Sequence, residues 1–331
     1  MKVHALRAFG LENLRLQDRP DPTPGPGQVL LRVKAVSLNY RDLLMVQGLY
    51  NPRQKLPLVP CSDACAVVEA LGEGVTRVAI GDRVIPSFIQ DWIAGEPAKE
   101  LLWNTLGGPL DGTLAERMVV ADHCLVQAPE HLSDAEAATL PCAGVTAWSA
   151  LEGVTAGDTV LVQGTGGVSL FALQLAVLRG ARVICTSSSD AKLALARNLG
   201  AAATLNYVST PSWGKAVKAL THGRGVDRII EVVGGDLAQS LRAVRAGGTL
   251  ALIGILGGAS GQVNLTRILM QAITVKGIIV GHRMGFEAMN RAITQHQLRP
   301  VVDKTFDFDD ARIALDYLSQ GKHFGKVVLV L

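Results

Sequence analysis

The stretch TVLVQGTGGVSLFALQLAVLRGARVICTSSS, residues 159–189, decides the fold. It opens on a short apolar run, TVLVQG (159–164), breaks at Gly164, Gly166 and Gly167, and continues as an apolar segment of helical length near 167–179. It closes on a second apolar run, RVICTS (182–187). Apolar runs separated by a helix read as parallel strands joined by a crossover. A strand that feeds a glycine turn and a helix N-terminus is an anion trap. Its main-chain N–H groups point at the ligand, the helix dipole favours negative charge, and no Cβ blocks the approach. The turn therefore assigns Gly164, Thr165, Gly166, Gly167 and Val168 to the diphosphate of a dinucleotide. The third glycine of G-x-G-x-x-G is Ser169 here, small enough for close helix–strand packing. An ordinary tight turn is the competing reading.

The end of the second strand bears on the choice of cofactor. An acid there binds the ribose hydroxyls of NAD. This chain has Thr186-Ser187-Ser188-Ser189, no acid before Asp190, and Lys192 just beyond. Hydroxyls and a cation without a carboxylate suit a ribose 2′-phosphate, so the expected cofactor is NADPH. The competing reading makes the serines the cap of the next helix.

Downstream, RIIEVVG (228–234) and TLALIGI (249–255) read as further strands, with helices near 190–199, 210–222 and 236–245 between the runs. VKGIIVG (275–281) extends the series. The pattern predicts a doubly wound parallel sheet covered on both faces. Upstream, VLLRVKAVSL (29–38), CAVVEALG (65–72) and DRVIPSF (82–88) are strands with Gly and Pro punctuation, which predicts a β-rich domain. LSDAEAATLPCAGVTAWSAL (132–151) has helical spacing, with Ser133 and Glu136 as a capping box. A last helix, DDARIALDYLSQ (309–320), precedes a strand KVVLVL (326–331) that is expected to return to the first domain. Asp91–Gly108, with Trp92 and Trp103, reads as a long loop.

The whole chain has 331 residues, 48% hydrophobic and 18% charged, and a net charge of +3. That charge is too small to gather nucleic acid or an anionic membrane. The five cysteines include no C-x-x-C pair, and an odd number makes no complete disulfide framework. Cys61 and Cys65 read as small core residues. No long apolar run lies near the N-terminus, so neither a signal peptide nor a membrane span is expected, and the setting is read as cytoplasmic with reduced thiols. No G-x-S-x-G elbow supports a hydrolase.

Five landmarks run the length of the chain: PGPGQVLLRVKAVSLNYRD (24–42), LGEGVTRVAIGDRV (71–84), LPCAGVTAW (140–148), VLVQGTGGVSLFALQLA (160–176) and HFGKVVLVL (323–331). With them the chain resembles the medium-chain dehydrogenase/reductase superfamily, in its zinc-independent branch that is quinone-oxidoreductase-like and alcohol-dehydrogenase-like. The resemblance implies an α/β fold in which a Rossmann domain, 125–291, is inserted in a β-rich, GroES-like catalytic domain, 1–124 with 292–331. It implies an active-site cleft between them, and a homodimer formed through the edge strand near Thr274–Gly281.

The resemblance also allows a check on zinc. Zinc-bearing relatives carry a Cys in a C-x-x-D stretch, which here is Asn39-Tyr40-Arg41-Asp42. Their G-H-E stretch is Cys61-Ser62-Asp63, so Ser62 replaces the His ligand, and Cys142 stands at the third ligand position. One thiol does not make a three-ligand site. Residues 88–123 hold no Cys for a structural lobe. No metal is expected.

Three residues are the catalytic candidates. Tyr50, in GLYNP (48–52), resembles the G-x-Y-P stretch of related reductases and is a candidate proton donor, although Asn51 interrupts the match. Tyr40 and Asn39 sit at the replaced metal position, with Asn39 a hydrogen-bonding group for substrate or ribose. The resemblance places Thr146, Gly234, Leu256 and Gly257 near the nicotinamide, and Tyr207 near the adenosine phosphate. It places Phe324 and Lys326 in a segment that closes on the cofactor. His282 and Arg283 are expected to be exposed. The function implied is hydride transfer from NADPH to a small-molecule quinone, enone or other carbonyl compound. A zinc-free alcohol dehydrogenase and a non-catalytic NADPH-binding regulatory protein are the alternatives.

Overall fold

A computed structural model of the chain describes all 331 residues. The chain runs β1 (Lys2–Leu6), β2 (Leu14–Asp18), β3 (Gln28–Leu38), α1 (Tyr40–Val46), β4 (Asp63–Leu71), β5 (Arg83–Pro86), β6 (Arg117–Ala121) and β7 (Leu125–Gln127). It continues with α2 (Asp134–Ala137), a π-helical turn at Leu140–Gly144, α3 (Val145–Ala150), β8 (Thr159–Gln163), α4 (Gly167–Leu178), β9 (Arg182–Ser187), α5 (Asp190–Asn198), β10 (Ala203–Asn206) and α6 (Trp213–Leu220). Then come β11 (Val226–Glu231), α7 (Ala238–Ala243), β12 (Val244–Leu252), α8 (Leu265–Met270) and β13 (Thr274–Gly277). The last elements are α9 (Arg283–Gln295), β14 (Val302–Asp307), α10 (Ala311–Ser319) and β15 (Lys326–Val330).

Two compact units result: Met1–Val145 with Val280–Leu331, and Thr146–Ile279. The sequence reading sets the inserted domain at 125–291. By contacts, residues 125–145 and 280–291 belong with the β-rich unit. α9 is part of the reason, because it buries Phe286, Met289 and Ile293 at helical spacing and Asn290 Nδ2 donates to Gln127 O of β7.

The β-rich unit carries a sheet in the order β14-β15-β3-β4-β5-β7, with β6 also on β3 and a β1–β2 hairpin apart from it. Pairing is antiparallel except between β14 and β15. β15 pairs with the end of β3, Val327 opposite Leu38, so the last strand does return to the first domain. The alternating inward side chains Val29, Leu31, Val33, Val84, Val327 and Leu329 make its core.

The inserted unit is a six-stranded sheet in the order β10-β9-β8-β11-β12-β13, parallel throughout. This is the doubly wound order, and the crevice of such a sheet lies beyond the C-terminal ends of the strands where the order reverses, here at β8 and β11. Its centre is β8, TVLVQ, buried at every position, which is why that strand reads as a continuous apolar run. The edge strand β13 is the opposite case: all four of its residues are exposed. No helix of the chain is long and apolar enough to cross a membrane.

Candidate active site

In the inserted unit, β8 ends at Gln163 and the chain turns at Gly164, whose φ of 72° lies in the left-handed region that favours glycine. Gly166 is the N-cap of α4 and leaves the helix without a side-chain cap. A Cβ built on Gly166 would meet nothing within 4 Å. The turn therefore combines unsatisfied first-turn N–H groups with open space above them, which is what a diphosphate requires. Ser169 Oγ donates to Gln163 O at 2.7 Å, so the residue that replaces the third glycine pins the helix to the end of the strand. Thr165 and Thr146 are buried.

At the end of β9, Ser187 is buried and Ser188 exposed. Ser189 caps α5, its Oγ accepting from Lys192 N at 3.4 Å, so the helix-cap reading of the serine run holds for Ser189. Tyr207 lies beside this strand end, its N–H donating to Ser187 O at 3.2 Å, with its ring half exposed. Ser187, Ser188 and Tyr207 thus gather at one strand end, with Lys192 in the first turn of the adjoining helix.

β11 stops at Glu231, earlier than the apolar run predicts. The cause is the Glu231 side chain, which is 1% exposed. Its Oε1 accepts from Val233 N and Gly234 N at 3.1 Å each, turning the chain out of the strand. Its Oε2 accepts from Gln163 Nε2 at 2.8 Å and from Ser240 Oγ. One buried carboxylate therefore ties the glycine turn after β8 to the loop after β11. That loop is joined to the next by Gly257 N donating to Val233 O at 2.7 Å. Gly234 and Gly257 thus lie in adjoining loops, and Leu256 is exposed. The sequence reading misses Glu231; an acid inside a strand of a buried sheet is the signal that points to it.

In the β-rich unit a second group of residues assembles. Asn39, 9% exposed, precedes α1, and its N–H donates to Asp42 Oδ2 at 2.8 Å. Asp63 opens β4 and is fully buried; Oδ1 accepts from Ser62 Oγ at 2.7 Å and Oδ2 from Cys142 N at 3.2 Å, in the π-helical turn. Lys326 opens β15 at 3% exposure, and its Nζ donates to Leu38 O at 2.7 Å and Asn39 Oδ1 at 2.5 Å. Asn39, Ser62 and Cys142, far apart in sequence, thus surround one buried carboxylate and one buried ammonium. Burial pushes the Asp42 carboxyl up to about 7, against the pull of Arg41. Burial likewise raises Asp63, with Lys326 and Asn39 opposing, and raises the Cys142 thiol well above its ordinary value.

Tyr40 and Tyr50 are both about half exposed. Arg41 lies between them in sequence; its guanidinium sits 4.9 Å over the Tyr50 ring and 4.9 Å over Phe88, and donates to Thr105 Oγ1, Leu106 O and Gly108 O. Arg41 thereby fastens the Tyr50 loop and the 105–108 segment to α1. His282 and Arg283 are not the exposed pair expected. His282 caps α9 and meets the buried Trp92 edge-on at 5.6 Å, and Arg283 N donates to Trp92 O. Their partners come from the irregular segment around Trp92, which the local sequence does not announce. Asp91, His123 and Cys124 bring possible metal donors within 4.8 Å of one another. Those donors are already engaged: His123 with Asp91, Asp91 with Asn104, and the Cys124 thiol with Gln90 O.

Comparison with known proteins now adds to this geometry. Residues 25–130 match the alcohol dehydrogenase GroES-like domain, and residues 167–295 match the zinc-binding dehydrogenase model. A zinc-type alcohol dehydrogenase-like protein of Schizosaccharomyces pombe is 42% identical over 97% of this chain and 96% of its own. The chain belongs to the medium-chain dehydrogenase/reductase superfamily. Within this superfamily a quinone oxidoreductase-like protein of Bos taurus is 30% identical over 92% of this chain and 86% of its own. A solved NAD-dependent alcohol dehydrogenase superimposes with a TM-score of 0.91 at 33% identity, over 100% of both chains. The protein is an oxidoreductase of the alcohol dehydrogenase and quinone oxidoreductase type, a family that works with a nicotinamide dinucleotide. The Gly164–Gly167 turn, open where a Cβ would stand, fits that cofactor.

A zinc ion fits less well. Three protein donors with lone pairs turned to a common point are needed. Here Asn39 Oδ1 is engaged by the Lys326 ammonium and Ser62 Oγ by Asp63, which leaves Cys142 as the one thiol among the three positions. Asn39, Ser62 and Cys142, as they are bonded, do not offer three free donors to one ion.

Proposed function

We propose that the chain is a zinc-independent, NADPH-dependent oxidoreductase that delivers hydride to a quinone, an enone or another carbonyl compound. What carries this reading is the open glycine turn at the head of α4, with serines rather than an acid at the end of β9. Gly164, Thr165, Gly166, Gly167 and Val168 hold the diphosphate. Ser187, Ser188, Lys192 and Tyr207 receive the adenosine 2′-phosphate, the charge and hydroxyls replacing a carboxylate that would repel it. Thr146, Gly234, Leu256 and Gly257 serve the nicotinamide end, and Phe324 the segment that closes on it.

When bound, the nicotinamide supplies a hydride to the acceptor carbon. The chain's own residues manage the oxygen. As the carbon takes the electron pair, the C=O π pair moves to oxygen, and Asn39 donates a hydrogen bond to the developing charge. For an aldehyde or ketone, a proton from the Tyr50 hydroxyl, with Tyr40 as the neighbouring alternative, completes the alcohol. For an enone or quinone the hydride adds at the conjugated carbon, the π pair moves through to oxygen, and the same proton quenches the enolate. The quinone product then tautomerises to the hydroquinone, while solvent returns the proton to the tyrosine.

The names of the relatives favour a second reading, oxidation of an alcohol by the same residues in reverse. NADPH binding followed by fluorescence, and NADPH oxidation with a quinone, an enone and an aldehyde, test the proposal. Binding without turnover of any of them, or of alcohols with NADP+, leaves only a binding protein and refutes it. A homodimer is part of the proposal: β13 presents an unpaired outer edge with all four residues exposed, and Leu265, Leu269 and Met270 of the preceding α8 are more than 70% exposed. A reducing, cytoplasmic setting accords with five unpaired cysteines.

A further inference from the structure

The matched family model is that of a zinc-binding dehydrogenase, yet the positive charge in this site comes from the chain itself. Lys326 is 3% exposed, and taking an ammonium out of water costs several kcal/mol, so its burial calls for a reason. Packing is not enough, because a Met of similar length fills the same volume. The partners supply the reason. Nζ donates to Leu38 O and to Asn39 Oδ1, and its charge opposes the burial of Asp63, Asp42 and Cys142.

The bond to Asn39 settles which way the amide faces. An amide offers an oxygen on one side and an NH2 on the other. With Oδ1 held by the ammonium, the NH2 is turned away from Lys326. The amide lies beside Asp63, whose charge it stabilises, but Nδ2 is buried and meets no protein acceptor in hydrogen-bonding geometry. A buried donor left open in this way is set for an acceptor that arrives with a ligand.

We infer that Lys326 is a positioning residue that takes the place of a metal ion: its buried ammonium locks the Asn39 amide oxygen inward, leaving the NH2 as the donor to the substrate's carbonyl oxygen. The inference rests on the proposed carbonyl reduction and names a residue that acts through Asn39.

A double-mutant cycle on the full chain tests it, using Asn39→Ala, Lys326→Met and the two together. Turnover of the best acceptor is measured at saturating NADPH, and NADPH Kd by fluorescence. Each single variant is expected to lose about a hundred-fold in kcat, the scale of one lost oxyanion donor, with Kd for NADPH little changed. The double variant is expected to be no slower than either single. Multiplying losses overturn the coupling. A loss confined to NADPH affinity returns both residues to the cofactor, and one zinc ion per chain in the purified protein overturns the replacement. If Lys326→Met does not fold because Asp63 is left unpaired, the charge-balanced Asp63→Asn/Lys326→Met chain takes its place in the cycle.

A readout without turnover separates this inference from the function it rests on. The Asn39 side-chain NH2 resonances, assigned by their loss in Asn39→Ala, are expected to exchange slowly with solvent in the natural chain and fast in the Lys326 variant. Equal exchange overturns the lock. Slow exchange in a protein that reduces no acceptor keeps the lock and rejects the carbonyl chemistry.

Discussion

Replacing Gly166 by Ala separates binding from folding more cleanly than any other change in the cofactor turn. Gly166 has φ −80° and ψ −178°, extended backbone open to any residue, and its new Cβ would meet nothing within 4 Å. No clash and no backbone strain arise. The remaining terms are a lost preference for Gly at an N-cap and a gain from a less flexible unfolded chain, each a few tenths of a kcal/mol to about 1 kcal/mol and opposite in sign. Stability is therefore expected to move by less than about 1 kcal/mol, or roughly 2–4 °C in Tm at most. The methyl group does occupy the space over the first-turn N–H groups. Holding the diphosphate off one charge-assisted hydrogen bond costs about 1.5–3 kcal/mol. That is about ten- to a hundred-fold in Kd. NADPH fluorescence titration beside a thermal melt reads both quantities. An unchanged Kd in a chain with unchanged Tm refutes the placement of the diphosphate over this turn. Gly164→Ala is the control: at φ 72° it is expected to destabilise the unit as well, because an L side chain is strained there.

Three further outcomes are expected. Lys192→Ala should raise the Kd for NADPH by about ten-fold and leave NADH nearly unchanged, since only the former carries the 2′-phosphate; parallel losses in paired titrations reject that role. Tyr50→Phe should lower kcat by about a hundred-fold while stability holds, because the ring that Arg41 covers is kept and only the hydroxyl is lost; steady-state kinetics showing full turnover removes Tyr50 as proton donor. His4, buried with Nε2 bonded to Phe308 O at 2.8 Å, has a pKa lowered mainly by burial. It stays neutral in the folded state where the unfolded chain takes up a proton, so its contribution is complete above about pH 6.5 and is lost as pH falls below that. Urea midpoints at pH 8 and pH 5.5 should therefore differ less in His4→Gln than in the natural chain, and an equal difference refutes the assignment.

The parts of this protein legible in its sequence are those where one local stretch does all the work. β8, the glycine turn, α4 and β9 lie where the apolar run and the glycines of 159–189 place them, because a strand buried on both faces is mostly apolar and a turn such as Gly164, at φ 72°, favours glycine. The capping box at Ser133 and Glu136 is likewise a three-residue matter. α1 and α9 go unread. α1 is only seven residues long and its cap, Asn39 with Asp42, follows directly on a long strand, and α9, although Phe286, Met289 and Ile293 have helical spacing, follows a run read as a strand to Gly281. The end of β11 is overread, since apolar residues continue past the point where Glu231 draws the backbone out of the strand, and β12 likewise stops at Leu252, short of the apolar run.

By itself the sequence determined the parallel nucleotide-binding unit, the bare glycine turn and the lack of an acid at the end of β9, all properties of local stretches. Only the tertiary structure decided that Lys326, almost three hundred residues from Asn39, spends its charge there, and that Ser62, Asp63 and Cys142 close around the pair. The physical reason is that the sign and direction of a buried hydrogen bond depend on what stands across the space. Strand pairing between β15 and β3 sets that, and no local pattern encodes it.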